Sequence, residues 1–319
     1  MKKNILTTTI LIFGSILSWG QISVSIDGLD NASYVEKNVG ALLNAINACY
    51  STQQAFDDSN LNITPECASE ISDIISFSPM EIVGKSIKCN AAEVINSNEY
   101  QIRNIPVLLE EYDGNTQTKM TPHEIVISFD MTGKITDFQI AIDQYAYSKI
   151  VDSNRDVKDK RHRQMVLSFL EQFRTAYNTK DITFLKQIYS DDAIIITGRV
   201  ISVKPSEVHP TGKIIRYKQQ DKTQYLNNLQ NVFSNNKKIS VSFDDIEVKS
   251  HPTDPNWYGV MLKQGWTSDS YHDEGYVFLL WDFSNENEPT IHIRTWQPDK
   301  YLSDDEKYSL DDFDIHTAQ

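Results

Sequence analysis

Near the C-terminal end of the chain His292, Arg294 and Trp296 alternate with Ile291, Ile293 and Thr295. Side chains of an extended strand alternate between faces, so this spacing predicts the first three on one face of a sheet. Such a face offers recognition of an anion, with the arginine supplying a planar fork of donors and the tryptophan a stacking surface. His292 is the best-placed acid–base group. Asp282, on the preceding strand-like run, is the alternative partner for the charged pair, in which case Trp296 simply covers the sheet. Trp257, Trp266, Trp281 and Trp296 all fall on strand-like segments, where indoles serve either a carbohydrate or apolar ligand or ordinary sheet packing. Tyr217 and Tyr225, near a predicted helix, would rim the same cavity. The candidate ligand-binding set is therefore Tyr217, Tyr225, Trp266, Trp281, Asp282, His292, Arg294 and Trp296.

Other chemistries find no support in the residues. His123, His162, His209, His251, His272, His292 and His316 are scattered, without an HxH or HExxH spacing, so no metal is expected. Neither a GxGxxG nor a GxxxxGK loop occurs, so no nucleotide cofactor is expected, and GxSxG is missing too. The 44 acidic against 30 basic residues give a formal charge of -14, which repels phosphate backbones and excludes nucleic acid as a partner. Of the three cysteines, Cys49 near the end of the first predicted helix and Cys67 at the start of the next are the favoured disulfide pair. The alternative is three buried thiols packing as small apolar groups.

The elements that must position these residues follow from length and pattern. A chain of 319 residues suits two domains of about 130 residues each. Residues 1–20 carry Lys2 and Lys3, an apolar run from Ile5 to Leu17 and then Ser18-Trp19-Gly20, which reads as a cleavable signal peptide with Gln21 as the mature start. The run is too short to span a bilayer, and no later segment approaches the ~20 apolar residues of a membrane helix. A soluble, periplasmic or secreted product is the expectation.

Tyr34 to Tyr50 places Val39, Leu42, Leu43 and Ile46 at helical spacing, and Pro65 opens a second helix to Ile75. Strands are predicted near Gln101–Glu110, His123–Asp130 and Lys134–Asp143, the last two flanking a Met131-Thr132-Gly133 turn. Apolar content collapses between Ser148 and Lys160, which sets a first domain at 21–150 and a second at 161–300. The second opens with a helix from Arg161 to Asn178, followed by a short helix capped by Asp181 and a strand from Ala193 to Val203. Asp221 and Gln224 resemble a capping box before a helix burying Tyr225, Leu226, Leu229, Val232 and Phe233. Strands at Ile239–Lys249, Tyr258–Thr267, Gly275–Phe283 and Thr290–Trp296 close it. Residues 301–319 read as a loose acidic tail.

Two runs, Phe173-Arg-Thr-Ala-Tyr177-Asn178-Thr-Lys-Asp181 and Phe184-Leu-Lys-Gln-Ile188-Tyr-Ser-Asp191-Asp192-Ala193, resemble the helix, turn, second helix and "DDA" strand entry of the nuclear transport factor 2-like superfamily. That superfamily also holds ketosteroid isomerase and polyketide cyclases. The resemblance covers most of 162–298 and, more faintly, 34–147. It implies an α+β fold of two cystatin-like, nuclear transport factor 2-like domains, each with N-terminal helices on a curved antiparallel sheet. More narrowly, Phe243-Asp-Asp-Ile, His251-Pro-Thr, Trp257-Tyr-Gly and His292-Ile-Arg-Thr-Trp-Gln-Pro298 resemble a group of functionally uncharacterised exported bacterial proteins.

An isomerase of this superfamily works with a carboxylate base and an oxyanion hole of a tyrosine and a protonated aspartate. Aligned on the "DDA" segments, the tyrosine falls on Phe173 and the base on Thr197, while the aspartate falls near Leu279. A benzyl ring and an isobutyl group carry no proton to move, and a hydroxyl is too weak a base. The expectation is therefore a binding or interaction protein with no assigned catalytic residue, no cofactor, and any pocket in the second domain. Its partner would be a small molecule or an envelope protein, and a homodimer is allowed. The alternatives are an isomerase-, cyclase- or hydrolase-like enzyme in the second cone, or a structural subunit of an envelope assembly.

Overall fold

A computed structural model describes residues 21–30, 32–94, 98–112, 118–153, 156–206, 211–269 and 271–315. The predicted signal peptide lies outside the described residues, as do Arg155, His209, Pro210 and His316.

The first half contains β1 (Ser23–Asp27), α1 (Ser33–Thr52), α2 (Pro65–Phe77), β2 (Met80–Ile82), β3 (Ser86–Glu93), β4 (Glu99–Tyr112), β5 (Thr118–Asp130) and β6 (Ile135–Ile140). The sheet order is β1-β3-β4-β5-β6, with β2 also pairing with β4. Strand β1 runs parallel to β3, and the remaining pairings are antiparallel. The apolar stripe of α1, from Val39 to Ile46, and Ile71, Ile74 and Ile75 of α2 bury against this sheet. The helices start where local chemistry satisfies their free N–H groups. Thr64 accepts from the Cys67 amide at 3.3 Å, one residue before Pro65. Between β5 and β6, Gly133 takes a left-handed φ of 78° in the predicted hairpin turn.

The second half contains α3 (Gln144–Val151), α4 (Val157–Thr179), α5 (Ile182–Ile188), β7 (Tyr189–Ser202), β8 (Lys213–Asp221), α6 (Lys222–Asn235), β9 (Ile239–Ser250), β10 (Trp257–Ser268), β11 (Tyr271–Asp282) and β12 (Thr290–Pro298). Its order is β8-β7-β12-β11-β10-β9, with β7 and β12 parallel and every other neighbour antiparallel. Asp181 caps α5 by accepting from Thr183 and Phe184, and Asp221 caps α6 by accepting from Gln224 at 2.7 Å. The curved sheet wraps α4, and α6 closes one side, giving a cone with its own core. That core already begins at Ile142 and includes Tyr147, Ile150 and Val151 of α3, where the sequence shows only a charged break.

Helix α4 serves both halves. It packs inside the second sheet and also lies along β6, the edge of the first, beside α2. Its side chains take over the edge: Arg174 donates to the Ile140 carbonyl at 2.6 Å, and Glu171 accepts from the Ile142 amide at 2.7 Å. Thr175 donates to Gln139 at 2.7 Å. A bulge in β4, where Asn104 has a φ of 63°, sends Arg103 across the seam to donate to Glu171 at 2.5 Å. The Arg103 guanidinium also lies 3.8 Å over the Tyr147 ring. Covering an open strand edge with a helix is a recurrent way to stop it pairing with other chains.

Two expectations are corrected. Cys49, Cys67 and Cys89 are all free thiols, so the Cys49–Cys67 bridge is absent. The reason is helix length. Asn38 of α1 exchanges hydrogen bonds with Asn62, just before α2, so Cys67 lies near the start of α1. Cys49 is eleven residues further on, roughly 16 Å at the helical rise, against the ~7 Å that a disulfide spans. The C-terminal segment is also not loose. Its described part, to Ile315, forms two short 3-10 turns and packs Leu310, Phe313 and Ile315 on the outer face of the second sheet, against Trp257, Phe278, Leu280 and Ile293. Gln297 fastens it, donating to the Glu306 carbonyl at 2.8 Å and accepting from the Tyr308 amide at 2.7 Å.

Candidate functional site

A cavity of about 360 Å³ opens into the second cone between α6 and the inner face of β7, β12, β11 and β10. Four of the eight candidates line it: Tyr225, Trp266, Arg294 and Trp296. Leu279 opposes Arg294 and Val277 opposes Trp296 in the β11–β12 ladder, which fixes both candidates to the inner face. Gly275 makes room for the indole of Trp296, because a Cβ there would lie 2.9 Å from the ring.

The other four candidates lie elsewhere. Trp281 is fully buried in the core, its ring 5.3 Å from Phe169 of α4. Tyr217 is on the outer side, edge-on to Tyr308 of the C-terminal segment with ring centres 5.6 Å apart, and accepts from Gln297 at 2.8 Å. Asp282 accepts from Ser284 at the end of β11. His292 is the informative miss. It is the extra residue of a bulge: Leu280 pairs with Ile293, but Trp281 pairs with Ile291. The alternation therefore breaks at His292, which packs outside the cone against Trp257, 4.9 Å between ring centres, with Asp192 and Asp282 at 3.6 and 3.8 Å. The shared face predicted for His292, Arg294 and Trp296 holds for the last two alone.

Residues outside the predicted set complete the site. The Tyr177 and Tyr225 hydroxyls share a hydrogen bond of 2.6 Å. The Arg294 guanidinium sits 5.3 Å from the Tyr225 ring and donates weakly to Gln264 Oε1 at 3.3 Å. Arg294 is only 4 % exposed, and its Nε–H has no acceptor; the hydroxyl of Tyr189 is likewise buried without a partner. Burial pushes the Tyr189 and Tyr225 hydroxyls far above their ordinary range, so both stay protonated. Arg294, a guanidinium that stays charged at any working pH, therefore faces neutral hydroxyls. Nearer the mouth are Thr197, Tyr271 and Asp273, with Tyr271 donating to Asp273 at 2.5 Å. Burial raises the Asp273 carboxyl above its usual value. Gln264 was legible in principle, since it is two residues from Trp266 on the same strand. Tyr177 was not, because in a helix a tyrosine at a buried spacing reads as packing.

Among the described residues no group of three or more His, Cys, Asp or Glu could hold a metal, and no helix is long and apolar enough to cross a membrane. A nearer ligand chemistry is anion binding by Arg294 in an aromatic cavity.

In the second half three helices pack against a curved sheet whose first strand runs parallel to its last, the arrangement expected from the resemblance in its sequence. The first half keeps the two leading helices and the curved sheet but has no counterpart of α6 among its described residues, and its parallel edge comes from the N-terminal β1. No family model matches the chain, and no curated protein matches it. Solved structures that it resembles include a nuclear transport factor 2-like protein from Cytophaga hutchinsonii, at 12% identity and a TM-score of 0.32, covering 43% of this chain and 97% of that one. A superfamily protein from Salmonella enterica gives 14% identity and a TM-score of 0.33, over 46% and 96%. Nuclear transport factor 2 from Cryptosporidium parvum gives 10% and 0.30, over 41% and 90%. At these identities and TM-scores the likenesses assign no activity.

Proposed function

We propose that the protein is an exported, non-catalytic binding module of two tandem domains, whose cores meet near residues 140–142, and whose ligand pocket is the cone of the second. The observation that carries this reading is the composition of the cavity: aromatic walls and a buried cation, with Asp273 near the mouth as the one carboxyl among the lining residues. Where the isomerase chemistry would need proton carriers, Phe173 and Leu279 are completely buried apolar groups and Thr197 offers a hydroxyl. Export rests on the leader-like sequence of residues 1–20.

A second reading, an enzyme working in the same cone, is favoured by Asp273 alone, whose raised pKa and short bond to Tyr271 suit an acid–base group. His292 is not available to it, lying outside the cone.

The test is a thermal-shift screen of the protein beginning at Gln21 against cell-wall fragments, glycans and sterol-like compounds. A ligand held at a hundred times its Kd stabilises the folded state by about 2.7 kcal/mol and raises the melting temperature by several degrees. Binding without turnover is the expected result. Turnover that is lost in Asp273→Asn, while binding persists, would replace this reading with the second. Detection of the chain in the cytoplasm with residues 1–20 intact would remove the export part.

A further inference from the structure

The floor of the second cone has more donors than acceptors. Arg294 brings a full guanidinium, yet it meets only neutral oxygens, Gln264 Oε1 at 3.3 Å and the nearby Tyr177 hydroxyl, and among the described residues Nε–H has no acceptor. Tyr177 and Tyr225 use one hydroxyl proton between them, and the Tyr189 hydroxyl, in the same cluster, makes no hydrogen bond of good geometry, so the three hydroxyls keep protons to donate elsewhere. Among the described residues no carboxylate forms an ion pair with Arg294, whose guanidinium lies 5.3 Å from the Tyr225 ring instead. A cation taken out of water costs several kcal/mol unless an anion or well-aimed acceptors compensate it. Donors without acceptors, around an uncompensated positive charge at the base of an open cavity, are complementary to an anion delivered from outside.

The rest of the lining narrows the class. Lysine and histidine are both missing from the lining, so one charge matches one guanidinium, and the planar fork of an arginine fits the two oxygens of a carboxylate. Asp273 near the mouth disfavours a second negative group on the outer end of the ligand. Trp266 and Trp296 are only partly buried and present their indoles to the cavity, with the Tyr177 ring 5.9 Å from Trp266 and nearly perpendicular to it. Such walls favour a flat, unsaturated body, and about 360 Å³ is at the small end of ligand cavities.

We propose that the cone binds a small monocarboxylate carried on a flat aromatic or conjugated body, its carboxylate held by Arg294 and the Tyr177–Tyr225 hydroxyl pair and its ring against Trp266 and Trp296. This deepens the reading of the cone as a ligand pocket and rests on it.

Isothermal titration of the chain beginning at Gln21 with trans-cinnamate, its isosteric neutral amide and phenyl phosphate tests the assignment. The expected result is cinnamate binding at least tenfold tighter than either of the others. Arg294→Gln should cut cinnamate affinity at least tenfold and leave the amide unchanged, whereas Trp266→Ala should weaken acid and amide alike. Equal binding of acid and amide, or a preference for the phosphate, overturns the ligand class while leaving the cone as a pocket. So does binding of a sterol or glycan with no response to cinnamate. Absence of any ligand across the wider screen removes the underlying reading itself. If Arg294→Gln does not fold, the acid-to-amide ratio of the unaltered protein decides the matter.

Discussion

At the scale of single residues, the molecule spends two buried arginines in different ways. Arg103 is matched: Glu171 meets it at 2.5 Å, both side chains are less than 10 % exposed, and the carboxylate also holds the Ile142 amide. Replacing Arg103 by Met leaves that carboxylate buried and alone, which should lower unfolding stability by about 3–5 kcal/mol in urea. The double change Arg103→Met with Glu171→Gln should recover much of the loss, because neither member of the pair is then left as a buried charge without its partner. Arg294 is unmatched and faces a cavity. Arg294, Trp296, Trp266 and Tyr225 share one cavity wall, a grouping that period-two spacing and helical periodicity, both local properties, made legible. The same spacing misplaced His292 because one extra residue in β12, invisible without the partner strand, shifts every face assignment on its N-terminal side.

At the scale of elements, long amphipathic helices and buried strands were legible, while β3, β8 and α3 were not. Lys213–Asp221 has a largely exposed face and lies at a sheet edge, so it lacks the alternation that marks a half-buried strand. The α2–β6–α4 seam carries a titration of its own. Burial, then the charges of Asp137, Asp181 and Asp73, lifts Glu70 from 4.5 to about 7, while the Gln139 amide partly offsets it. Burial and the charges of Glu171 and Glu99 lift Asp137 too. The folded chain thus keeps a proton that the unfolded chain releases near pH 4.5. This contribution is complete below pH 4.5 and is lost as pH rises through about 7. Denaturation midpoints should therefore be higher at pH 5 than at pH 8, by about 1–2 kcal/mol in stability, and Glu70→Gln should flatten the difference.

At the scale of the whole molecule, the C-terminal segment is part of the fold. Leu310, Phe313 and Ile315 cover an apolar outer face of the second sheet formed by Trp257, Phe278, Leu280 and Ile293. Ending the chain at Lys300 should bare that face, lower the melting temperature and produce dye binding and light scattering absent from the full chain. The segment was misread because its acidic residues dominate its composition, while three apolar side chains at the right spacing do the anchoring. The shared helix α4 has a further consequence in time. A ribosome delivers the first sheet before α4, so the flank of β6 beyond Ile135, which Ile63 already pairs, stays uncovered until some forty more residues, through Thr179, have emerged. Throughout that interval the nascent polypeptide presents an unguarded ribbon to its neighbours.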